Sequence, residues 1–181
     1  SELDKRVRRF MAPTRIVWKT DSDKASVTGE EALLQPRPKQ IHFNPGQTCV
    51  LTNKGEKAGI LIDFGVEFHG YVKLFIHSVE PSRVKIRVRF GESVSEAMSD
   101  IGGPKNATND HINRDQILDV GFLSMPEIGP SGFRFVRIDL LDDNAIKILK
   151  CISGERMHPD EISAITGLQI SVVNATLAEL E

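Results

Sequence analysis

From residue 84 to residue 90 every second side chain is apolar: Val84, Ile86, Val88 and Phe90 alternate with Lys85, Arg87 and Arg89. A period of two sends neighbouring side chains to opposite faces, so this run predicts a strand buried on one side and solvated on the other. The same reading makes Lys85, Arg87 and Arg89 a solvated face rather than a nucleic-acid patch. Ile60–Phe64, Val72–Ile76 and Phe133–Leu140 are further short runs rich in β-branched and aromatic residues, the types that fit a pleated surface. Between the runs lie turn-forming clusters: Asn44-Pro45-Gly46, Asn53-Lys54-Gly55, Glu80-Pro81-Ser82 and Gly129-Pro130-Ser131-Gly132. Many short strands with no helix-length pattern between them predict a mainly β fold, an antiparallel jelly-roll-like β-sandwich.

Near Asp142-Asp143-Asn144 the pattern changes. Ile146, Leu149 and Ile152 recur at helical spacing and predict a short helix. His158-Pro159-Asp160-Glu161 opens a second, with proline early and acids in the first turn. Thr166-Gly167-Leu168 breaks it, and Ile170, Val173, Leu177 and Leu180 mark the apolar stripe of a third. Helices around a tight glycine turn form a helix-turn-helix pattern. The expected organisation is therefore a β-sandwich over residues 1–143 and a three-helix segment over 144–181.

Composition narrows the function classes. At 40% hydrophobic and 27% charged the chain has the balance of a globular protein, and its 181 residues are enough for one large domain or a medium domain plus a small one. Its formal net charge of −2 falls in the tail, where Glu155, Asp160, Glu161, Glu179 and Glu181 outnumber Lys147, Lys150 and Arg156. That balance argues against general attraction to nucleic acid or anionic membrane. No apolar run approaches the roughly 18 residues of a spanning helix, and the opening residues carry no apolar leader core. The two cysteines, Cys49 and Cys151, lie far apart and read as small core hydrophobes rather than a metal pair.

Candidate chemistry is sparse. His42, His69, His77, His111 and His158 show no paired metal-ligand spacing. No nucleophile elbow or phosphate-binding glycine loop appears. Neither a metal nor a cofactor is expected. Glu92, Glu96 and Asp100 are four apart, and Asp110, His111 and Asp115 form a second polar cluster. Calcium at Asp100, Asp110 and Asp115 would lack a loop signature. A sugar site would pair such groups with an aromatic platform, and the single tryptophan, Trp18, and single tyrosine, Tyr71, are the candidates. Glu92, Asp110, His111, Trp18 and Tyr71 are thus the ligand-binding candidates.

Three segments carry a family resemblance. Asp63-Phe64-Gly65, followed by Gly70-Tyr71-Val72, is similar to a segment of the β-sandwich domain that accompanies the catalytic domain of α-L-rhamnosidase-type glycoside hydrolases. Arg89-Phe90-Gly91-Glu92 resembles that family's strand ending in a Gly-Glu turn, and Gly132-Phe133-Arg134-Phe135-Val136 resembles its closing strand. The resemblance, over about residues 5–143, implies a non-catalytic module. Its partner would be an (α/α) barrel bearing the acidic catalytic residues, and its parent protein would be bacterial, periplasmic or extracellular. Inverting cleavage of terminal rhamnose needs two carboxyls roughly 6.5–9.5 Å apart. Nothing in this chain resembles that barrel, so the chain is not expected to act alone. Contact with a rhamnose-containing glycan, or an autonomous carbohydrate-binding role, remain open to it.

The tail resembles something else. Asp160-Glu161-Ile162, Thr166-Gly167-Leu168 and Leu177-Ala178-Glu179-Leu180-Glu181 are similar to the winged-helix domain at the C-terminus of the DNA-processing protein DprA. In a DNA reader, Gln169, Ser171 and Asn174 on the third helix would face the groove. That helix has no lysine or arginine for phosphates, which supply most of the affinity. The apolar stripe is therefore expected to dock on the sandwich or on another subunit.

Overall fold

The computed structural model describes residues 10–35, 48–100, 114–142 and 145–154. Short strands open the chain: β1 (Phe10–Met11), β2 (Arg15–Lys19), β3 (Asp21–Ser22) and β4 (Ala25–Thr28), followed by a 3-10 turn at Glu30–Leu34. Then come β5 (Cys49–Asn53), β6 (Gly59–Glu80), β7 (Arg83–Gly91), the one-turn helix α1 (Val94–Met98), β8 (Asp115–Gly121), β9 (Glu127–Leu140) and β10 (Ala145–Gly154). Among the described residues the strands run in the order β3-β4-β5-β10-β6-β9-β7-β8, with β1 on β10 and β2 on β6. Every pairing is antiparallel.

Two long strands turn this single ladder into a sandwich. The expected runs Ile60–Phe64 and Val72–Ile76 are halves of β6, which bends at Gly65 (φ 85°), a left-handed conformation that favours glycine. The first half of β6 pairs with β2 and the second half of β9; its second half pairs with β10 and the first half of β9. β9 shifts register beside the same bend, between its pairing of Phe135 with Asp63 and of Phe133 with Phe68. That shift sends Phe133 into the main core while Phe135 joins Leu61 and Ala97 in a smaller buried cluster on the opposite face. Strict alternation would put both on one face.

The main core is a single cluster drawn from both layers. Val27, Leu51, Ile146 and Ile148 of β4, β5 and β10 meet Ile60, Ile138, Val88 and Phe90 of β6, β9 and β7. Phe133 sits at its aromatic end, 4.6 Å between centroids from Phe90 and 5.9 Å, edge-on, from Phe64. Buried Asn53 ties the layers: its Nδ2 donates to Leu140 O at 2.9 Å and its Oδ1 accepts from Ala58 N at 2.7 Å.

Residues 145–154 correct the sequence reading. They form β10, hydrogen-bonded on both sides, to β5 and to β6, where a first tail helix was expected. The segment Ile-Lys-Ile-Leu-Lys-Cys-Ile fits both periods, since Ile146 and Ile148 alternate as well as Ile146, Leu149 and Ile152 space helically. Tertiary structure decides: β5 and β6 would otherwise face each other with unpaired backbone edges. The sheet thus continues past the expected boundary at residue 143, and a three-helix segment beginning at 144 is not formed. The second and third tail helices fall outside the described residues.

Candidate functional site

On the layer β2-β6-β9-β7-β8 the inward positions are apolar, so the outward positions hold whatever chemistry the sheet offers. β7 directs Lys85, Arg87 and Arg89 outward, as its alternation predicts. They are nevertheless not a uniformly solvated face. Lys85 is exposed, Arg87 is half-buried and Arg89 is only 6% exposed. Arg89 donates from Nη2 to Asp139 Oδ2 at 2.7 Å and from Nη1 to Asp100 Oδ1 at 3.1 Å. Arg137 donates from Nε to Asp139 Oδ1 at 2.9 Å. Arg87 grips Asp115 from Nε at 2.8 Å and reaches Asp100 Oδ1 at 3.0 Å. Asp139 is the hinge of this network, because β7 and β9 place Arg89 directly opposite Arg137 and like charges in that register repel.

A second knot lies at the bend of β6. Asp63 is 1% exposed and accepts from Arg134 Nε at 2.8 Å and Nη2 at 3.0 Å, from Arg15 Nε at 2.8 Å, and from Gly65 N at 2.7 Å. The Arg134 bonds, with those of Gly65 and Arg15, outweigh burial and hold its carboxyl well below the usual carboxylate range. Lys19, on β2, is taken by Glu30.

Trp18 lies beside these pairs on the same face. β2 shifts register against β6 between Ile16 and Trp18, and such a bulge re-aims side chains. Val17 and Trp18 are both exposed, Trp18 at 37%. The indole lies over Gly59, where an added Cβ would come within 3.2 Å of Trp18 Cζ3. Arg137 Cζ stands 5.1 Å from the indole centroid, within cation–π range, while its Nη1 donates to Met98 Sδ at 3.4 Å. The result is a tryptophan braced by a guanidinium that is itself fixed by Asp139.

The other expected site residues do not gather around it. Glu92 is exposed after the end of β7, its Oε1 3.5 Å from where a Cβ on Gly132 would stand. Tyr71 belongs to the second half of β6, where it pairs with Gly154 of β10. Asp110, His111, Gln169, Ser171 and Asn174 lie outside the described residues. The sequence reading missed Arg137, Asp139, Asp63 and Arg15. For Arg137 and Asp139 the local signal is alternation, Arg137-Ile138-Asp139, which marks an outward face but not its neighbours. Among the described residues no group of His, Cys, Asp or Glu is arranged to hold a metal ion. Asp100 and Asp115 both meet the Arg87 guanidinium. No helix of the described residues is long and apolar enough to cross a membrane.

Comparisons with known proteins fall on both parts of the chain. The model of the DprA winged helix domain matches residues 138–181; of these, 138–140 end β9 and 145–154 are β10. No curated protein matches the sequence. Among solved structures, a rhamnosidase from Klebsiella oxytoca with rhamnose bound is similar at 15% identity and a TM-score of 0.47, covering 82% of this chain and 29% of that one. A truncated AlyQ with CBM32 and alginate lyase domains is similar at 13% identity and a TM-score of 0.45, covering 84% of this chain and 34% of that one. The xylan-binding module CBM86 from Roseburia intestinalis is similar at 10% identity and a TM-score of 0.43, covering 86% of this chain and 98% of that one. The chain therefore spans about a third of the length of the first two proteins.

Proposed function

We propose that the sandwich is a non-catalytic carbohydrate-binding module of a glycoside hydrolase of the α-L-rhamnosidase type, with its saccharide surface around Trp18. The observation that carries this reading is the indole itself: exposed, seated over Gly59 and braced by Arg137. An exposed, fixed aromatic ring presents a flat apolar surface to the C–H face of a pyranose, while neighbouring charged groups can bond its hydroxyls. The carboxylates nearby support a non-catalytic role. Asp63 and Asp139 are each bound by two guanidiniums, and Asp63, whose carboxyl these contacts hold well below the usual carboxylate range, is a poor general acid at neutral pH. The ordered motifs of the rhamnosidase resemblance support a parent protein in which an (α/α) barrel supplies the chemistry. Glu92 and Tyr71, placed elsewhere, contribute at most at the edges of a long glycan.

Trp18 is the only tryptophan, so its emission reports binding directly. L-rhamnose and rhamnose-containing oligosaccharides at millimolar concentration should change that emission saturably, with matching heat in calorimetry and loss of both in Trp18→Ala. A folded protein that gives no signal with any saccharide, or whose Trp18→Ala variant binds unchanged, would overturn the proposal.

The family-model match supports a second reading for residues 155–181 as a separate winged-helix-like segment that contacts protein or duplex DNA through Gln169, Ser171 and Asn174. The acidic tail favours protein. A duplex-DNA gel shift that weakens with salt and disappears in Gln169→Ala would establish the DNA contact; no shift at low salt would exclude it.

A further inference from the structure

We infer that the saccharide received at Trp18 is acidic, with an oxyanion gripped by Arg15; this rests on the proposal that Trp18 is a saccharide platform. Around Trp18 the guanidiniums outnumber the carboxylates. Asp63 is shared by Arg15 and Arg134, and Asp139 is shared by Arg89 and Arg137. Arg89 is met by Asp100 as well, whereas Arg15 and Arg134 have no acidic partner other than Asp63 among the described residues, so positive charge is left uncompensated at that pair.

That excess is most available at Arg15. Its side chain is 62% exposed and meets Asp63 through Nε alone. Its two Nη groups make no hydrogen bond among the described residues. Arg134, by contrast, spends both Nε and Nη2 on Asp63. The free Nη pair of a guanidinium is a fork that matches two oxygens of a carboxylate or a sulfate ester. The Nε bond to buried Asp63 anchors the other edge, so the fork is oriented before a ligand arrives.

Register sets the distance. Arg15 lies opposite Asp63 and Trp18 opposite Leu61, so both side chains project from the same face of the same strand. Their partners Asp63 and Leu61 are two residues apart, so the two side chains stand roughly 7 Å apart at about 3.3 Å per residue. A ring stacked on Trp18 therefore leaves the next sugar unit within reach of Arg15. A uronic acid or a sulfated sugar at that unit satisfies the fork; a neutral sugar leaves the positive charge to water.

The test is a Trp18 emission titration with trigalacturonate, its neutral methyl ester of nearly the same shape, and a sulfated disaccharide. The acid should bind at least about tenfold more tightly than the ester. The advantage should shrink in about 0.5 M NaCl, where exposed charges are screened. Arg15→Gln should bring the affinities for acid and ester close together, and Arg15→Lys should restore part of the preference for the acid. Sulfated-sugar binding in place of the uronate, with the same Arg15 dependence, upholds the inference and names the sulfate as the oxyanion. Equal binding of acid and ester, lost in Trp18→Ala, overturns the inference and leaves the Trp18 platform standing. Binding of no saccharide, charged or neutral, removes both.

Discussion

Replacing Asp63 with asparagine probes the knot at the bend of β6. The substitution keeps the shape but removes the charge that accepts from Arg134, Arg15 and Gly65 N. Removing one member of a buried ion pair costs about 3–5 kcal/mol, because the partner charge is left behind. Here the stranded guanidiniums are 62% and 37% exposed and can turn to water, which places the expected loss near the low end, about 3 kcal/mol. Urea unfolding followed by Trp18 emission reads this directly. With a slope of about 2 kcal/mol per molar, the midpoint should fall by roughly 1.5 M. The sign with pH follows from the depressed carboxyl. Its contribution is fully present above the unfolded value of about 3.9 and is lost as pH falls through the lower folded value. The gap between Asp63→Asn and the parent should stay level from about pH 7 to pH 5 and narrow only below about pH 4. A midpoint shift under about 0.3 M, or a gap already closing by about pH 5, would refute the account of Asp63 as the hub of the bend.

Three further outcomes are expected. Ile148→Ala should cost about 2–5 kcal/mol in the same urea assay, because Ile148 is fully buried in the main core; a loss under about 0.5 kcal/mol, typical of a surface site, would mean that β10 is not part of the sheet. Gly59→Ala should shift Trp18 emission and weaken saccharide binding more than Trp18-independent stability, since its Cβ would press on Asp139 and on Trp18 Cζ3; unchanged emission would show that the indole does not rest there. Burial pushes the Cys49 thiol up to about 12, so in a Cys151→Ser background native protein should resist alkylation at about pH 8 and react fully in urea. Rapid native labelling would contradict a buried Cys49.

Much of the sandwich was legible in advance because strand character is local. The alternation of Val84, Ile86, Val88 and Phe90 needs no knowledge of neighbours, and all four are buried in the main core. The candidate site was legible only as a residue type. Trp18 stood out as the single indole, but nothing near it in sequence announces Gly59 beneath it or Arg137 against it. Both come from strands that the chain reaches much later.

By itself, then, the sequence determined which runs are extended and which of their faces is apolar, since a period of two is a property of consecutive residues. Tertiary structure decided the rest. Residues 145–154 fit a helix or a strand, and the open edges of β5 and β6 selected the strand. Arg89 looked solvated until Asp139 from β9 and Asp100 from beyond α1 closed over it, because burial of a charge depends on a partner that no local pattern supplies. Trp18 is exposed where a bulge in β2 turns it outward over a glycine from the adjacent strand. Which strands become neighbours is settled by the burial of the whole apolar set at once, and that is a property of the fold rather than of any segment.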